Sequence, residues 1–151
     1  MRISGELALA VEQEQFFQAV HDVAVLRETV PGCERLEQAA PDLYTGRAKI
    51  GIAIVKGTYD GSVQILEERA PEYVRVRVEA KSGHAQISGE GDVQIVPSPE
   101  GTIVRYQGDA QVRGPLAAVG QRLLPSASKS YIEEFLRNVE KKLRQRASSQ
   151  T

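Results

Sequence analysis

The stretch YVRVRVEAKSGHAQISGEGDVQIV, residues 73–96, decides the fold, because apolar and polar residues alternate through it on both sides of one turn. Its apolar phase consists of small or β-branched residues and glycines: Val74, Val76, Val78, Ala80, Ala85, Ile87, Gly89, Gly91, Val93 and Ile95. A period of two is typical of strands that bury one face. Because Ser82 and Gly83 mark a turn between the two runs, the stretch predicts an antiparallel hairpin.

The same alternation extends outward from this hairpin. Toward the N-terminus it predicts strands over residues 2–11 and 33–39. It predicts a third strand that carries Ala48, Ile50, Ile52 and Ile54 on one face. A fourth predicted strand carries Tyr59, Gly61, Val63 and Ile65 on one face. Toward the C-terminus the apolar phase of a last strand is Val104, Tyr106, Gly108, Ala110 and Val112. Short loops between consecutive strands indicate an antiparallel meander with one buried face.

Glycines recur on the inward phase of these strands. They are Gly5, Gly61, Gly89, Gly91 and Gly108. Glycine inside a strand usually marks a bend or a close approach of another group. Together with the small valine, isoleucine and alanine side chains, these glycines predict a strongly curved sheet that another element must fill.

Two helical regions flank the meander. Residues 12–30, EQEQFFQAVHDVAVLRETV, have a helical period, are interrupted at Asp22 and end before Pro31-Gly32, so they predict two short helices. The last third predicts a long helix from about Pro125 to Arg146, because proline fits a first helical turn. Its apolar stripe is Ile132, Phe135, Leu136, Val139 and Leu143, and Leu124, Ser128 and Tyr131 continue a neighbouring face.

These elements predict an α+β fold in one domain. It consists of a curved seven-stranded antiparallel sheet wrapped on a long C-terminal helix, with two short helices after the first strand. The domain spans residues 1–146, and residues 147–151 are expected to fray.

Composition excludes several classes of protein. The 151 residues carry a formal net charge of -1 and one cysteine, which argues against nucleic-acid binding and against an internal disulfide. The N-terminus alternates and lacks the apolar core of a signal peptide, and no run reaches the length of a membrane span. We expect a cytoplasmic protein without stable membrane insertion, with peripheral attachment at the inner face of the membrane as the alternative.

An ordered set of motifs resembles a known family. It comprises Gly5, Phe16-Phe17 with Asp22 and Leu26, Val30-Pro31-Gly32-Cys33, Tyr59-Asp60-Gly61, and GPLAAVGQRL at residues 114–123. The chain resembles the CoxG family of carbon monoxide dehydrogenase subunits, and the order of its elements is that of the helix-grip, START/Bet v 1-like fold. The START-related, or SRPBCC, superfamily contains hydrophobic-ligand-binding domains. The family often has tryptophan where Phe17 stands, and its longer members carry a C-terminal membrane anchor that we do not expect here.

The resemblance implies an accessory protein of a molybdenum-containing dehydrogenase, acting in its maturation or membrane recruitment. A lipophilic ligand, such as a quinone, would fit this fold and setting, and the sequence assigns no cofactor with certainty. The oligomeric state, monomer or homodimer, stays open.

The candidate ligand-binding residues are mainly apolar side chains of the strands and the last third: Val30, Ile52, Ile54, Tyr59, Val78, Leu116, Leu123, Tyr131, Ile132 and Phe135. Apolar pockets with a few placed polar groups are typical of small-molecule sites. We expect the hydroxyls of Tyr59 and Tyr131 to face a ligand carbonyl. The alternative for each residue is ordinary core packing.

Catalytic and metal sites are not predicted. His21 and His84 stand in no catalytic motif, and Ser128 and Ser130 lack the nucleophile-elbow pattern. Cys33 is interpreted as a small filler. A cluster of His84, Glu90 and Asp92 is the one conceivable metal site, but its acids fall on the outward phase.

The run GPLAAVG has two interpretations, a hinged flap over the cavity or a packed connector. Three functions stay open: a lipophilic-ligand carrier, a superfamily enzyme such as a cyclase or isomerase, and a protein-interaction module without ligand. The enzyme would need an inward-facing acid or base, and the inward phase shows none clearly.

Overall fold

The computed structural model describes residues 1–52, 55–83, 85–115 and 117–149. Its helices and strands, in chain order, are β1 Arg2–Leu9, α1 Gln13–Ala19, α2 Val23–Thr29, β2 Cys33–Ala40, β3 Leu43–Ile50, β4 Gly57–Arg69, β5 Tyr73–Lys81, β6 Gln86–Ser98, β7 Gly101–Arg113 and α3 Ala117–Ser149. This is the predicted order of one strand, two short helices, a six-strand meander and a long helix.

The strands form one sheet in the order β1-β7-β6-β5-β4-β3-β2. All neighbouring strands are antiparallel, and the pairing of Val78 with Gly89 places their side-chain positions on the same, inward phase. β1 lies at one edge, where α3 covers it: Arg137 donates to the Ala8 carbonyl and the Ala10 N–H donates to Glu140. A covered edge is protected against pairing with another chain.

The break between the two short helices follows from Asp22. Its backbone is extended, and its Oδ1 accepts a hydrogen bond of 2.9 Å from the N–H of Ala24, so it caps α2. Phe16 and Phe17 of α1 and Val25 of α2 are buried against the concave face of the sheet. The predicted division at Asp22 is confirmed.

The start of the long helix differs from the prediction. α3 begins at Ala117, and Pro125 lies inside it. Proline has no N–H to donate to the Gln121 carbonyl, which normally ends or kinks a helix. Here the preceding turns are held by packing, because Leu124 is only 4% exposed and Gly120 lies against Val112 of β7. The helix also continues to Ser149 rather than ending near Arg146.

The third strand is displaced from its predicted position. β3 runs from Leu43 to Ile50, so Ile52 lies beyond its end, and Ile54 is outside the described residues. The inward phase of the actual strand begins earlier, at the buried Tyr44. Pairing with two neighbours decides the register, and Ile50 opposite Gly57 is the last pair with β4.

The buried side chains form two clusters. The larger contains residues from β1, the short helices, β5, β6, β7 and the second half of α3, including Phe16, Ile95, Val104, Leu136 and Val139. The smaller one consists of Tyr59, Ala85, Ala110, Val112 and Leu124. The clusters therefore occupy different regions of the concave face.

Candidate ligand-binding cavity

A cavity of about 280 Å³ lies between the concave face of the β2–β5 half of the sheet and the first half of α3. The strands and their flanking turns contribute most of its apolar wall, which includes Val30, Cys33, Leu36, Tyr44, Ala48, Ile50, Ile52, Val55, Tyr59, Val63, Val78, Ala80 and Ile87. The helix contributes Leu124, Ala127, Ser128 and Tyr131. Val63 and Val78, which are paired across β4 and β5, are exposed, so the cavity opens to solvent there.

The structure brings part of the predicted set together. The predicted residues that line the cavity are Val30, Ile52, Tyr59, Val78 and Tyr131. Ile132 and Phe135 instead pack against the larger core cluster. Leu123 is 40% exposed, and its neighbour Leu124 lines the cavity in its place. Ile54 and Leu116 lie outside the described residues.

Helix geometry explains the exchange of Leu123 for Leu124. Residues four or three apart share a helix face, so Leu124, Ser128 and Tyr131 form one stripe toward the cavity. Ile132 and Phe135 follow Ser128 and Tyr131 by four residues and continue this face one turn further along α3, where it meets the larger core cluster instead of the cavity. The spacing of the first stripe is visible in the sequence and is the signal that identifies it. Tyr44 lies on the same alternation as the predicted Ala48 and Ile50, so extending that strand toward its N-terminus would find it. Leu36 has no such signal, because a register shift between Cys33 and Arg35 interrupts the period of two in β2.

The cavity-lining tyrosines already use their hydroxyl protons. Tyr59 donates to the Val55 carbonyl at 2.8 Å, Tyr131 to the Pro31 carbonyl at 2.7 Å and Tyr44 to the His21 carbonyl at 3.1 Å. A carbonyl oxygen only accepts, so each tyrosine must be the donor. Tyr59 and Tyr131, which are expected to face a ligand carbonyl, thus direct their hydroxyl protons to backbone carbonyls in this structure.

The hydroxyl of Tyr131 is strongly shielded from solvent. Burial, with smaller contributions from Cys33 and Glu134, raises the pKa of Tyr131 to about 12. The neutral phenol is the form that can donate to Pro31. The hydrogen bond from Tyr131 therefore links α3 to the turn before β2, like a strut between the two walls of the cavity.

That turn, Val30-Pro31-Gly32-Cys33, forms one wall of the cavity. Gly32 has a φ of 71°, which favours glycine, and its carbonyl accepts from the N–H of Lys49 at 2.9 Å. A side chain at position 32 would collide with the Lys49 carbonyl. The turn is thus held to β3 by Gly32 and to α3 by Tyr131, which fixes Val30 and Cys33 at the cavity wall.

Two further contacts attach α3 to the end of α2. Asn138 donates to the Thr29 carbonyl at 2.9 Å, and Lys142 forms an ion pair with Glu28. Both lie on the C-terminal side of Tyr131. The helix is therefore anchored along its second half, while its first half spans the cavity.

The conceivable metal cluster is not assembled by the described residues. His84 lies outside them, and Glu90 and Asp92 face outward, bound to Arg75 at 3.1 and 2.8 Å. Hydrogen bonds from Arg77 and then Arg75 lower the pKa of Glu90, and a hydrogen bond from Tyr73 followed by one from Arg75 lowers the pKa of Asp92. These carboxylates form a cross-strand network on the solvated face of the sheet.

His21 also lies outside the cavity. Its ring stacks on Phe17 with 4.3 Å between centroids, its Nδ1 is 2.7 Å from the Phe17 carbonyl and its Nε2 is 3.2 Å from Glu68. These contacts satisfy the imidazole on the protein surface. The buried Tyr106 hydroxyl lies over Gly5 and has no hydrogen-bond partner in the part of the chain that the structure describes.

Comparison with known proteins identifies the family. The family model for a carbon monoxide dehydrogenase subunit (CoxG) matches residues 5–144. The chain belongs to the CoxG family. The matched residues include every motif that carries the resemblance. A search of the curated proteins finds no match.

Solved structures support the helix-grip, START-like fold. A conserved protein from Geobacillus kaustophilus is 28% identical, with 96% of each chain covered and a TM-score of 0.89. A START superfamily protein from Mycobacterium smegmatis is 14% identical over 95% of this chain and 97% of that one, with a TM-score of 0.72. At that lower identity the likeness shows the fold alone. Among the described residues, no helix has the length and apolar character needed to cross a membrane.

Proposed function

We propose that this chain is a non-catalytic accessory protein that binds a lipophilic ligand in the cavity beneath α3. The observation that carries the proposal is an almost wholly apolar cavity of about 280 Å³ in a protein of the CoxG family. Small-molecule sites are usually concave, apolar and formed before the ligand arrives. A quinone or a similar neutral ring compound matches this chemistry.

The composition of the cavity wall favours binding over turnover. General acid–base catalysis needs a titratable group within reach of the substrate. Among the described residues of the wall, Glu79 carries a carboxylate. It pairs with Ser62 of the neighbouring strand, and both residues alternate with the inward residues, so they belong to the outward face of the sheet. A superfamily enzyme such as a cyclase or isomerase would place its acid or base on the inward phase, beside Val78 and Ala80.

The family name suggests the setting in which the ligand is used. We propose a partnership with a molybdenum-containing dehydrogenase, in its maturation, its recruitment to the membrane or its coupling to quinone. The exposed Val63 and Val78 at the cavity mouth provide an apolar entrance through which a ligand passes to a partner or a membrane surface. A cytoplasmic protein with peripheral membrane contact fits this role.

The single cysteine provides the test. Cys33 lines the cavity, so a bound ligand should slow its reaction with a thiol reagent. We expect 1-tetralone, a neutral ring ketone that does not react with thiols, to protect the thiol in a saturable manner, and native mass spectrometry of protein purified from its host to show a bound small molecule. The matched control is C33S/S130C, which moves the thiol to the exposed side of α3 and should react at a rate independent of the ligand.

The opposite results would identify a different function. Absence of protection together with a mass equal to that of the chain alone would contradict ligand binding and favour the interaction module. Chemical conversion of a bound compound would favour the superfamily enzyme.

A further inference from the structure

Ser128 presents a hydroxyl to the cavity from the middle of the α3 stripe. It follows the buried Leu124 by four residues and precedes Tyr131 by three, so all three side chains share the cavity-facing side of the helix. A helical serine or threonine often donates to the carbonyl four residues earlier, and Thr29 does so to Val25 at 2.9 Å. Within residues 1–52, 55–83, 85–115 and 117–149, the Oγ of Ser128 has no such hydrogen-bond partner.

The other polar groups on the described wall are committed elsewhere. The tyrosine hydroxyls donate to backbone carbonyls. Arg47 donates to Asp60 at 2.8 Å on the outward face, and Arg35 lies 3.9 Å from the same carboxylate. Ser62 follows Asp60 by two residues on β4, so it lies on the same outward face of the sheet. The Cys33 thiol is only a weak hydrogen-bond donor. Among the described residues of the wall, Ser128 is therefore the strong hydrogen-bond donor that remains available to a ligand.

We infer that Ser128 determines ligand selectivity by donating a hydrogen bond to one acceptor oxygen of a neutral, otherwise apolar ligand. The inference rests on the proposed binding function. A carbonyl, ether or ester oxygen satisfies this donor, whereas a pure hydrocarbon leaves it unpaired at a cost. A carboxylate or phosphate would lose its hydration without meeting a cation, because the nearby guanidinium groups face Asp60.

The cavity volume limits the part of the ligand that enters. At about 280 Å³ the cavity is near the lower end of the range of small-molecule pockets, roughly 300–1,000 Å³. A two-ring ketone or the terminal part of a longer lipid fits this size. The remainder of a longer molecule would leave through the mouth beside Val63 and Val78.

The test uses a matched pair of probes, 1-tetralone and tetralin, which differ by one carbonyl oxygen and have nearly the same size. Isothermal titration of the full chain should show tetralone binding about three- to tenfold more tightly than tetralin, the usual net gain from one hydrogen bond. In S128A the preference should disappear, because tetralone loses its hydrogen bond and tetralin no longer leaves a hydroxyl unpaired. The matched control S130A removes an exposed serine two positions away on the same helix and should keep the preference.

The outcomes separate the inference from the proposed function. If both probes bind and S128A retains the preference for tetralone, the role of Ser128 is overturned while the cavity remains a binding site. If neither probe binds and neither slows modification of Cys33, the proposed function fails and the inference fails with it. Since alanine favours helix more than serine does, S128A should fold, and circular dichroism verifies this.

Discussion

The two halves of α3 have the same secondary structure but pack differently, although Leu124 in the first half is buried in the smaller cluster. In the second half, Leu136 and Val139 are 4% and 0% exposed and contact the larger core cluster. In the first half, Leu123 is 40% exposed, and Ser128 and Tyr131 face a cavity. One helix therefore closes the core at one end and forms a wall of the candidate binding site at the other.

The facing strands explain the difference. The second half meets side chains large enough to fill the space, such as Phe16 and Ile95. The first half faces Gly61 and small residues such as Ala48 and Ala80. A Cβ at Gly61 would approach the Glu79 carbonyl to 2.9 Å, so strand contact in the curved sheet excludes a filling side chain there. The cavity therefore lies where glycine and alanine leave the space beneath the first half of α3 unfilled.

The largest expected effect contrasts the two halves directly. L136A should lower the free energy of unfolding by about 2–5 kcal/mol, because it leaves a cavity in a packed cluster. L123A should change it by less than about 0.5 kcal/mol, because that side chain is exposed. Urea unfolding of both variants measures the difference, and equal losses would show that the halves are not packed differently.

Filling the cavity should affect binding more than stability. In A127L a larger side chain enters the cavity from α3, so we expect at least a tenfold loss of tetralone affinity with nearly unchanged unfolding by urea. Leucine is a good helix former, so the helix is retained. A127L that binds tetralone as well as the parent chain would place the ligand elsewhere. The control A118L alters the exposed side of the same helix.

Removing the strut between the cavity walls should have a moderate effect. Y131F leaves the Pro31 carbonyl without its donor and should cost about 1 kcal/mol in the free energy of unfolding. Its preference for tetralone over tetralin should be unchanged, because Tyr131 does not donate to the ligand. Loss of that preference would assign the ligand contact to Tyr131 rather than to Ser128.

The same tyrosine predicts a pH dependence. The pKa of Tyr131 is about 12 in the folded chain and about 10 in an unfolded one. Between these values the unfolded chain releases the proton first, so the Tyr131 contribution to stability is complete below about pH 10 and is lost as the pH rises to about 12. Urea midpoints from about pH 9 to 11 should fall more steeply for the parent chain than for Y131F. Parallel curves would contradict this assignment.

The smallest effect is expected on the solvated face. D60N removes the partner of Arg47 on the exposed side of the sheet, and exposed ion pairs contribute little because water screens them. We expect no measurable shift of the urea midpoint and no change in tetralone affinity. A clear loss of affinity would mean that the Arg47 guanidinium takes part in binding.

Much of the fold is predictable because its signals are local. Alternation identifies the strands and their inward phase, and Asp22 with Pro31-Gly32 divides and ends the short helices. The start of α3 is not predictable from local rules. Proline disfavours a helix interior, and only the packing of Leu124 and Gly120 against the sheet overrides that preference.

The binding residues are predictable only in part. Periodicity identifies which side chains share a helix face, but not the point along the helix at which that face passes from a cavity to a packed cluster. It therefore assigns Ile132 and Phe135 to the cavity although they pack in the core. The tyrosine hydroxyls look available to a ligand because their acceptors lie in backbone turns that no sequence pattern reveals.

The sequence by itself determined the antiparallel meander, the apolar stripes of the last helix and the family, because these depend on residue order and period. Only the tertiary structure decided where the cavity lies and which polar groups remain available in it. A hydrogen bond between distant residues, such as that from Tyr131 to Pro31, consumes a donor that the sequence shows as free. Ser128 stands out as a ligand contact only after those bonds are known.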